Sequence, residues 1–247
     1  MNKHLCLDLD NTLLCSFFGY DQIIKLELDK PENKILYNRL RIVNIIDSLN
    51  NEENGTGNIS TIMIVFRPHL FTFLNFASSY FSKISIWSAG HDRYVRAIEA
   101  ILFPKKILNQ GVNVPYAIYT RDDCEFLPDY TTFKELTRKN FDVTQTLSLD
   151  DRSDTFSKNP HNGILIPRYE PLPTRESILS DDNSLLLLID WLSSDEVVNC
   201  KDIRTLDKRN IFNPKIVIKN INAEMHHENV NESMSKPNNS LQSVKIK

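Results

Sequence analysis

The stretch LCLDLDNTLL, residues 5–14, ends an apolar run in two aspartates, Asp8 and Asp10, and follows them at once with Asn11 and Thr12. Residues 4–9 read as a buried strand. A carboxylate in such a setting is costly unless it is paired, hydrogen-bonded or bound to a cation. Any fold for this chain must therefore bring compensating charge to the end of that strand.

The remaining pattern alternates strands with helices. TIMIVF (61–66) is a β-rich run closed by Arg67-Pro68, and HLFTFLNFASSYF repeats apolar residues at helical spacing through Leu70, Phe73, Leu74 and Ala77. KISIWSAG (83–90) alternates and turns at Gly90, and RYVRAIEAIL reads as the next helix. YAIY (116–119), TLSLDD and GILIP read as further strands, TTFKELTRKN as a helix, SDTFSKN as a short helix or turn, and DDNSLLLLIDWLSS as a helix capped by Asp182 or Asn183. This succession implies an α/β fold with a mainly parallel sheet, whose ligands sit beyond the carboxyl ends of the strands.

Two stretches break the pattern. NNEENGTGNIS (50–60) reads as a loop inside an insertion spanning about residues 15–60, and residues 220–247 are rich in Asn, Ser and charge, as in a flexible tail. The expected organisation is one domain over 1–219 followed by that tail.

Composition narrows the function classes. A net charge of −3 gives no global basic field, so direct nucleic-acid binding is not expected. Cys6, Cys15, Cys124 and Cys200 are scattered without a C-x-x-C pair, which indicates neither disulfides nor zinc and suits a reducing compartment. No run approaches the roughly 20 apolar residues of a membrane span. The chain reads as soluble and intracellular, in nucleus or cytoplasm.

On an extended strand, residues i and i+2 face the same way about 7 Å apart, so Asp8 and Asp10 can converge on one site. One carboxylate can attack phosphorus while the other moves protons, and clustered negative charge attracts Mg²⁺. Calcium in an EF-hand is excluded, because a loop begun at Asp8 has Leu13 in the glycine slot and Gly19 in the final glutamate slot. Alone, the pair also fits, as the lesser reading, two acids that merely cap the next turn. A second strand-terminal acidic pair, Asp150 and Asp151 in TLSLDDRSDTF, points instead to a divalent-metal site.

At these residues the sequence resembles the haloacid dehalogenase superfamily: Asp8, Asp10 and Thr12 match its D-x-D-x-T motif, and Asp150-Asp151 its late acidic pair. Within it, the sequence is similar to the phosphatases acting on the C-terminal domain (CTD) of RNA polymerase II, including the small CTD phosphatases and the NLI-interacting-factor-like group with the FCP homology domain. The similarity runs over most of residues 4–206, through DLDNTL, FRPHLFTFLNFAS, ISIWSAGHDRYV, YTRDDCEF, TFKEL, LDDRSDTF and a C-terminal helix, LLLLIDWLSSDEVVNCKDIRTL.

The resemblance implies a Rossmann-like fold with a mainly parallel central sheet and no large cap domain; the chain departs from the family in a small insertion after the first strand, between Thr12 and Arg67, read as holding a hairpin and a helix where relatives use a shorter β segment. The resemblance also implies Mg²⁺-dependent hydrolysis of phosphoserine or phosphothreonine in a protein substrate, with the polymerase CTD as one candidate, through an aspartyl-phosphate. Asp8 is then the nucleophile and Asp10 the general acid and base. Lys134 neutralises the phosphate and the Asp8 carboxylate, and Thr12, Ser88 and Arg121 take phosphate-contacting positions. Mg²⁺ falls to the Asp8 carboxylate, the Asp10 carbonyl and Asp151, with Asp150 in support. The other readings are a phosphatase of the same superfamily for a small molecule or polynucleotide end, and a non-catalytic binding protein on the same fold.

Bland readings fit the remaining candidates. Arg67-Pro68 reads as a structural strand-to-helix turn, Trp87 as core, Cys6 and Cys15 as buried thiols, His91 as a loop residue near the cleft mouth, and His226 and His227 as tail.

Overall fold

The computed structural model describes residues 3–46, 59–104, 115–129 and 131–213. The chain divides into Met1–Lys208 and Arg209–Lys247. Of the second unit, residues 209–213 are described and form a turn. The expected tail over 220–247, with His226 and His227, and most of the expected 50–60 loop lie outside the described residues.

The first unit is an α/β fold around a five-stranded sheet in the order β10-β9-β1-β5-β6. Its strands are β1 (His4–Leu7), β5 (Lys83–Trp87), β6 (Ala117–Tyr119), β9 (Thr146–Asp150) and β10 (Gly163–Leu165). Every pairing is parallel. β1 is buried at all its residues, as a central parallel strand covered on both faces requires. The chain leaves β1 toward β5 and β6, then returns to the other side of β1 with β9 and β10. The sheet order thus reverses beside β1, and a crevice opens at the carboxyl ends of strands where such a reversal occurs.

Helices α2 (Leu70–Tyr80) and α3 (Asp92–Leu102) follow β4 (Ile59–Phe66) and β5. The helical spacing of Leu70, Phe73, Leu74 and Ala77 is realised: all four are buried along one face of α2. The insertion is an antiparallel sheet, β2-β4-β3, built from β2 (Leu14–Phe18), β3 (Leu40–Ile46) and β4, with α1 (Tyr20–Ile24) and a 3₁₀ turn (Pro31–Asn38) between the first two strands. It has its own core, in which Leu36, Leu40, Met63 and Val65 pack against Ile178 of α4 (Arg175–Leu179). The expected hairpin and helix are present, but the insertion runs on through Phe66: TIMIVF pairs with β2 and β3 rather than joining the central sheet. No large cap domain occurs among the described residues.

Two helix expectations are corrected. TTFKELTRKN forms strand Thr132–Phe133, paired with Glu125–Phe126 as β8 and β7, followed by a 3₁₀ turn at Leu136–Lys139. The backbone there is claimed from outside, since Thr132 N–H donates to Asp154 and Lys134 N–H to the Thr155 carbonyl, and the ladder with Glu125–Phe126 holds Thr132 and Phe133 as extended chain. The C-terminal segment is divided into α5 (Ser184–Leu192), α6 (Asp195–Asn199) and a 3₁₀ turn (Ile203–Thr205). At the first break the Ser193 and Ser194 hydroxyls donate to the Ile189 and Trp191 carbonyls and terminate the helix. Asp182 accepts the Ser184 N–H at 2.8 Å and so caps α5.

Arg67 ties these parts together. Its buried guanidinium donates to the Thr12 carbonyl (2.9 Å), the Pro167 carbonyl (2.7 Å) and Asp182 Oδ2 (2.9 Å). Burial would raise the Asp182 pKa, but hydrogen bonds from Arg67 and Ser184 hold it below the ordinary carboxylate value. A depressed carboxylate stabilises the fold above its unfolded pKa, and that contribution is lost as pH falls through the native value. Asp182→Asn is therefore expected to cost about 2 kcal/mol in urea unfolding at pH 7, less than a fully buried pair because Asp182 is partly exposed, with the deficit shrinking below about pH 4.

Candidate active site

Three neighbouring strand ends meet at the crevice. The register pairs Leu7 with Ile86 on one side and Leu149 on the other, so Asp8 and Asp150 emerge side by side, with Ser88 one residue beyond the level of Asp8 on the other flank, and Asp8 N–H donates to the Leu149 carbonyl at 3.0 Å. They line a cavity of about 420 Å³ together with Asp10, Asp151 and Lys134.

Lys134 enters from the segment after β8. Its N–H and C=O are held by the Thr155 carbonyl (3.2 Å) and the Asn159 amide (3.1 Å). The ammonium donates to Asp8 Oδ1 at 2.7 Å and to Asp150 Oδ2 at 2.6 Å, and all three residues are buried. Asp150 Oδ1 also accepts the Arg152 N–H at 2.9 Å. Burial and the neighbouring Asp150 charge push the Asp8 pKa up, against the opposing pull of Lys134. Burial would lower the Lys134 pKa, but Asp150 and Asp8 reverse that and raise it, so the ammonium stays charged.

Asp10 reaches the same cavity at the start of a tight turn in which Asn11 adopts φ 59°, a left-handed conformation that asparagine tolerates. The Tyr94 hydroxyl donates to Asp10 Oδ1 and also lies 2.6 Å from Ser16 Oγ on β2. Burial raises the Asp10 pKa, with the Tyr94 and Ser16 hydrogen bonds opposing, and the Tyr94 phenol is raised well above its usual value by burial and the Asp10 charge. A carboxyl held in this way can keep a proton and give it up locally.

Asp151 completes the acidic set. Carboxylate oxygens of Asp8, Asp150 and Asp151 lie within 4.8 Å of one another, close enough to share one oxygen-seeking cation. Asp151 Oδ2 is buried without a hydrogen-bond partner, an arrangement that a bound cation would satisfy. Asp150 belongs to this cluster directly. The donor set, carboxylate oxygens with no sulfur or imidazole, fits a hard ion such as Mg²⁺.

Two expected phosphate contacts are placed elsewhere. Thr12 is fully buried, and its hydroxyl accepts the Asp151 N–H at 3.0 Å and donates to Asp151 Oδ1 at 3.4 Å. It orients Asp151 and does not line the cavity. Arg121 is exposed, with its guanidinium 4.5 Å from the centre of the Phe126 ring. Only its N–H supports the site, by donating to the Gly90 carbonyl at 2.9 Å. Ser88 is buried on the cavity wall, and its Oγ accepts the Gly90 N–H at 3.0 Å.

Residues not singled out from the sequence also line the cavity, among them Asn11, Tyr94, Arg152 and Arg168. The signal for Tyr94 was its place at the end of ISIWSAGHDRYV; Arg168 lies in a stretch with no motif. His91 lines the cavity as well, whereas Trp87 is core. Burial pushes the Cys6 and Cys15 thiols up to about 12 and about 11, far from reactive thiolates.

No helix among the described residues is long and apolar enough to cross a membrane. No curated protein matches the chain. Among solved structures, that of Fcp1, an essential RNA polymerase II CTD phosphatase, is similar with a TM-score of 0.54 and 20% identity, over 95% of this chain and 66% of that one. A variant of the fission yeast RNA polymerase II CTD phosphatase Fcp1 bound to beryllium fluoride gives a TM-score of 0.54 and 21% identity, over 94% and 66%. The chain thus spans just under two thirds of the length of each, and likeness at such identity speaks to the fold. The model of the NLI interacting factor-like phosphatase family matches residues 3–204, a span that contains both acidic pairs, Ser88 and Lys134, and the chain belongs to that family.

Proposed function

We propose that this chain is a Mg²⁺-dependent phosphoprotein phosphatase that acts on phosphoserine or phosphothreonine through an aspartyl-phosphate on Asp8. The observation that carries the reading is the shared ammonium: Lys134 bridges Asp8 and Asp150 inside a cavity that Asp10 also enters and where Asp151 Oδ2 accepts no hydrogen bond. The absence of a large cap among the described residues favours a macromolecular substrate over a small molecule. The Fcp1 structures make a phosphorylated polymerase CTD one candidate substrate.

In this mechanism Asp8 attacks phosphorus and Asp10 protonates the departing serine or threonine oxygen. Asp10 then takes a proton from the water that cleaves the acyl phosphate and regenerates Asp8. Tyr94 keeps the Asp10 carboxyl aimed into the cavity. Ser88 Oγ offers a hydroxyl to a phosphate oxygen, and Lys134 offsets charge on Asp8 and on the transferring group. Asp8, Asp151, Asp150 and the Asp10 carbonyl would hold Mg²⁺, which supplies charge neutralisation and alignment of the phosphate.

Hydrolysis of an aryl phosphate or a phosphoserine peptide is expected to require Mg²⁺, to stop on chelation, and to fall by at least about 10³-fold in Asp8→Asn. Metal-dependent activity that survives in Asp8→Asn overturns the nucleophile assignment. Asp10→Asn separates the acid role: hydrolysis of a phosphoserine peptide, whose leaving group needs a proton, falls about 10²-fold further than that of p-nitrophenyl phosphate, whose leaving group does not. Mg²⁺ alone is expected to raise the unfolding temperature, and Asp151→Asn to remove most of that rise, read by scanning calorimetry with and without chelator.

A further inference from the structure

Residues 166–169 extend β10 past Asp150 and close one side of the cavity. Ile166 N–H donates to the Asp150 carbonyl at 3.1 Å, the Pro167 carbonyl accepts from Arg67 at 2.7 Å, and Tyr169 N–H donates to the Asn11 carbonyl at 2.7 Å. The Tyr169 hydroxyl donates to the Phe66 carbonyl at 3.1 Å, and its ring lies under the Arg67 guanidinium. Arg168 sits between these anchors, on a backbone with little freedom to move.

Its guanidinium is held on two sides. Nε lies 3.0 Å from Glu170 Oε2, and Nη2 donates to the Asn11 side-chain oxygen at 2.7 Å in the amide orientation that satisfies both neighbours. Nη1 points toward Asp151 Oδ2 at 3.8 Å, beyond hydrogen-bond reach. The side chain is 52% exposed on the cavity wall. Arg152 on the same wall is engaged differently, its fork closing on Asp154 at 3.1 and 2.6 Å. Arg168 therefore presents a charged N–H edge toward the cavity from a position fixed in advance.

The cavity interior is acidic, with Asp8, Asp10, Asp150 and Asp151 set against Lys134. An anionic group entering beside the phosphate that reacts meets repulsion unless a cation faces it. A pre-positioned guanidinium matches an oxyanion in geometry and loses little entropy on binding one. We propose that Arg168 is a specificity residue that binds a second oxyanion on the substrate, carried by a residue flanking the phosphoresidue, so that phosphopeptides with such a neighbour are selected. This rests on the phosphoprotein reading above. Both a second phosphate and a carboxylate supply the required chemistry, and Glu170 is the internal anion with which either competes.

The test is binding rather than turnover. Asp8→Asn protein with Mg²⁺ is titrated by fluorescence anisotropy against three peptides that differ at one flanking position: phosphoserine beside alanine, beside glutamate and beside a second phosphoserine. The acidic or doubly phosphorylated peptide is expected to bind about tenfold tighter than the neutral one, the scale of one charge-assisted hydrogen bond. Adding Arg168→Gln should bring that ratio within about twofold of unity, Arg168→Lys should keep part of it, and Glu170→Gln should raise it. A role confined to orienting Asp151 would weaken all three peptides alike and leave the ratio intact, which overturns the proposal. Equal binding of the three peptides before any Arg168 substitution overturns it as well while sparing the phosphoprotein reading, and failure to bind any of them sinks both.

Discussion

The Lys134 ammonium between Asp8 and Asp150 is the interaction on which the centre of the molecule depends. Two carboxylates at adjacent strand ends of a buried parallel sheet repel each other in a medium that screens poorly, and removing the lysine would leave both as uncompensated buried charges. The two acids are tolerable only with the ammonium between them. That requirement explains why the segment around Lys134 abandons helix: its backbone is pinned from Thr155 and Asn159 so that the side chain ends at the acids. Local propensity yields to an electrostatic demand made from elsewhere in the chain.

Arg67 plays the corresponding part outside the crevice. It stands where the insertion sheet hands over to α2, and its guanidinium gathers the Thr12 carbonyl of the turn after β1, the Pro167 carbonyl of the β10 extension and Asp182 at the cap of α5. The turn that carries Asp10 and the segment that carries Arg168 are thereby fixed to one buried side chain. Two cavity-lining segments from distant parts of the sequence share a common mount, so their relative position does not depend on the flexibility of either loop.

The strand ends were legible because they pair a strong apolar period with an anomaly that water-exposed loops do not need: LCLDLD and TLSLDD each end in acids, and the structure sets them on neighbouring strands. Ser88 was legible for a related reason, as the residue after an alternating strand. What stayed hidden depended on tertiary partners. Thr12 carries the right residue type in the right motif, yet whether its hydroxyl meets a substrate or Asp151 is decided by how β1 and β9 abut. Arg121 lies in a recognisable segment, but its guanidinium lies over the Phe126 ring and does not line the cavity. Tyr94 and Arg168 reach the site through the pitch of a helix and the path of an irregular strand extension, neither of which periodicity reports.

The order of strands has a consequence for how the molecule comes into being. β1 leads into Asp8 and sits in the middle of the sheet, but its neighbour β9 lies far along the chain, and the ion pair that neutralises Asp8 joins residues 126 positions apart. During synthesis the first half of the chain has a sticky central strand with one flank open and a carboxylate with no counter-charge. Contacts of such range form slowly and leave aggregation-prone surface waiting. The same arrangement leaves the site to be completed late: a nascent or truncated chain that stops before Lys134 and β9 holds Asp8 and Asp10 without the ammonium and the second acidic pair that surround them in the finished sheet.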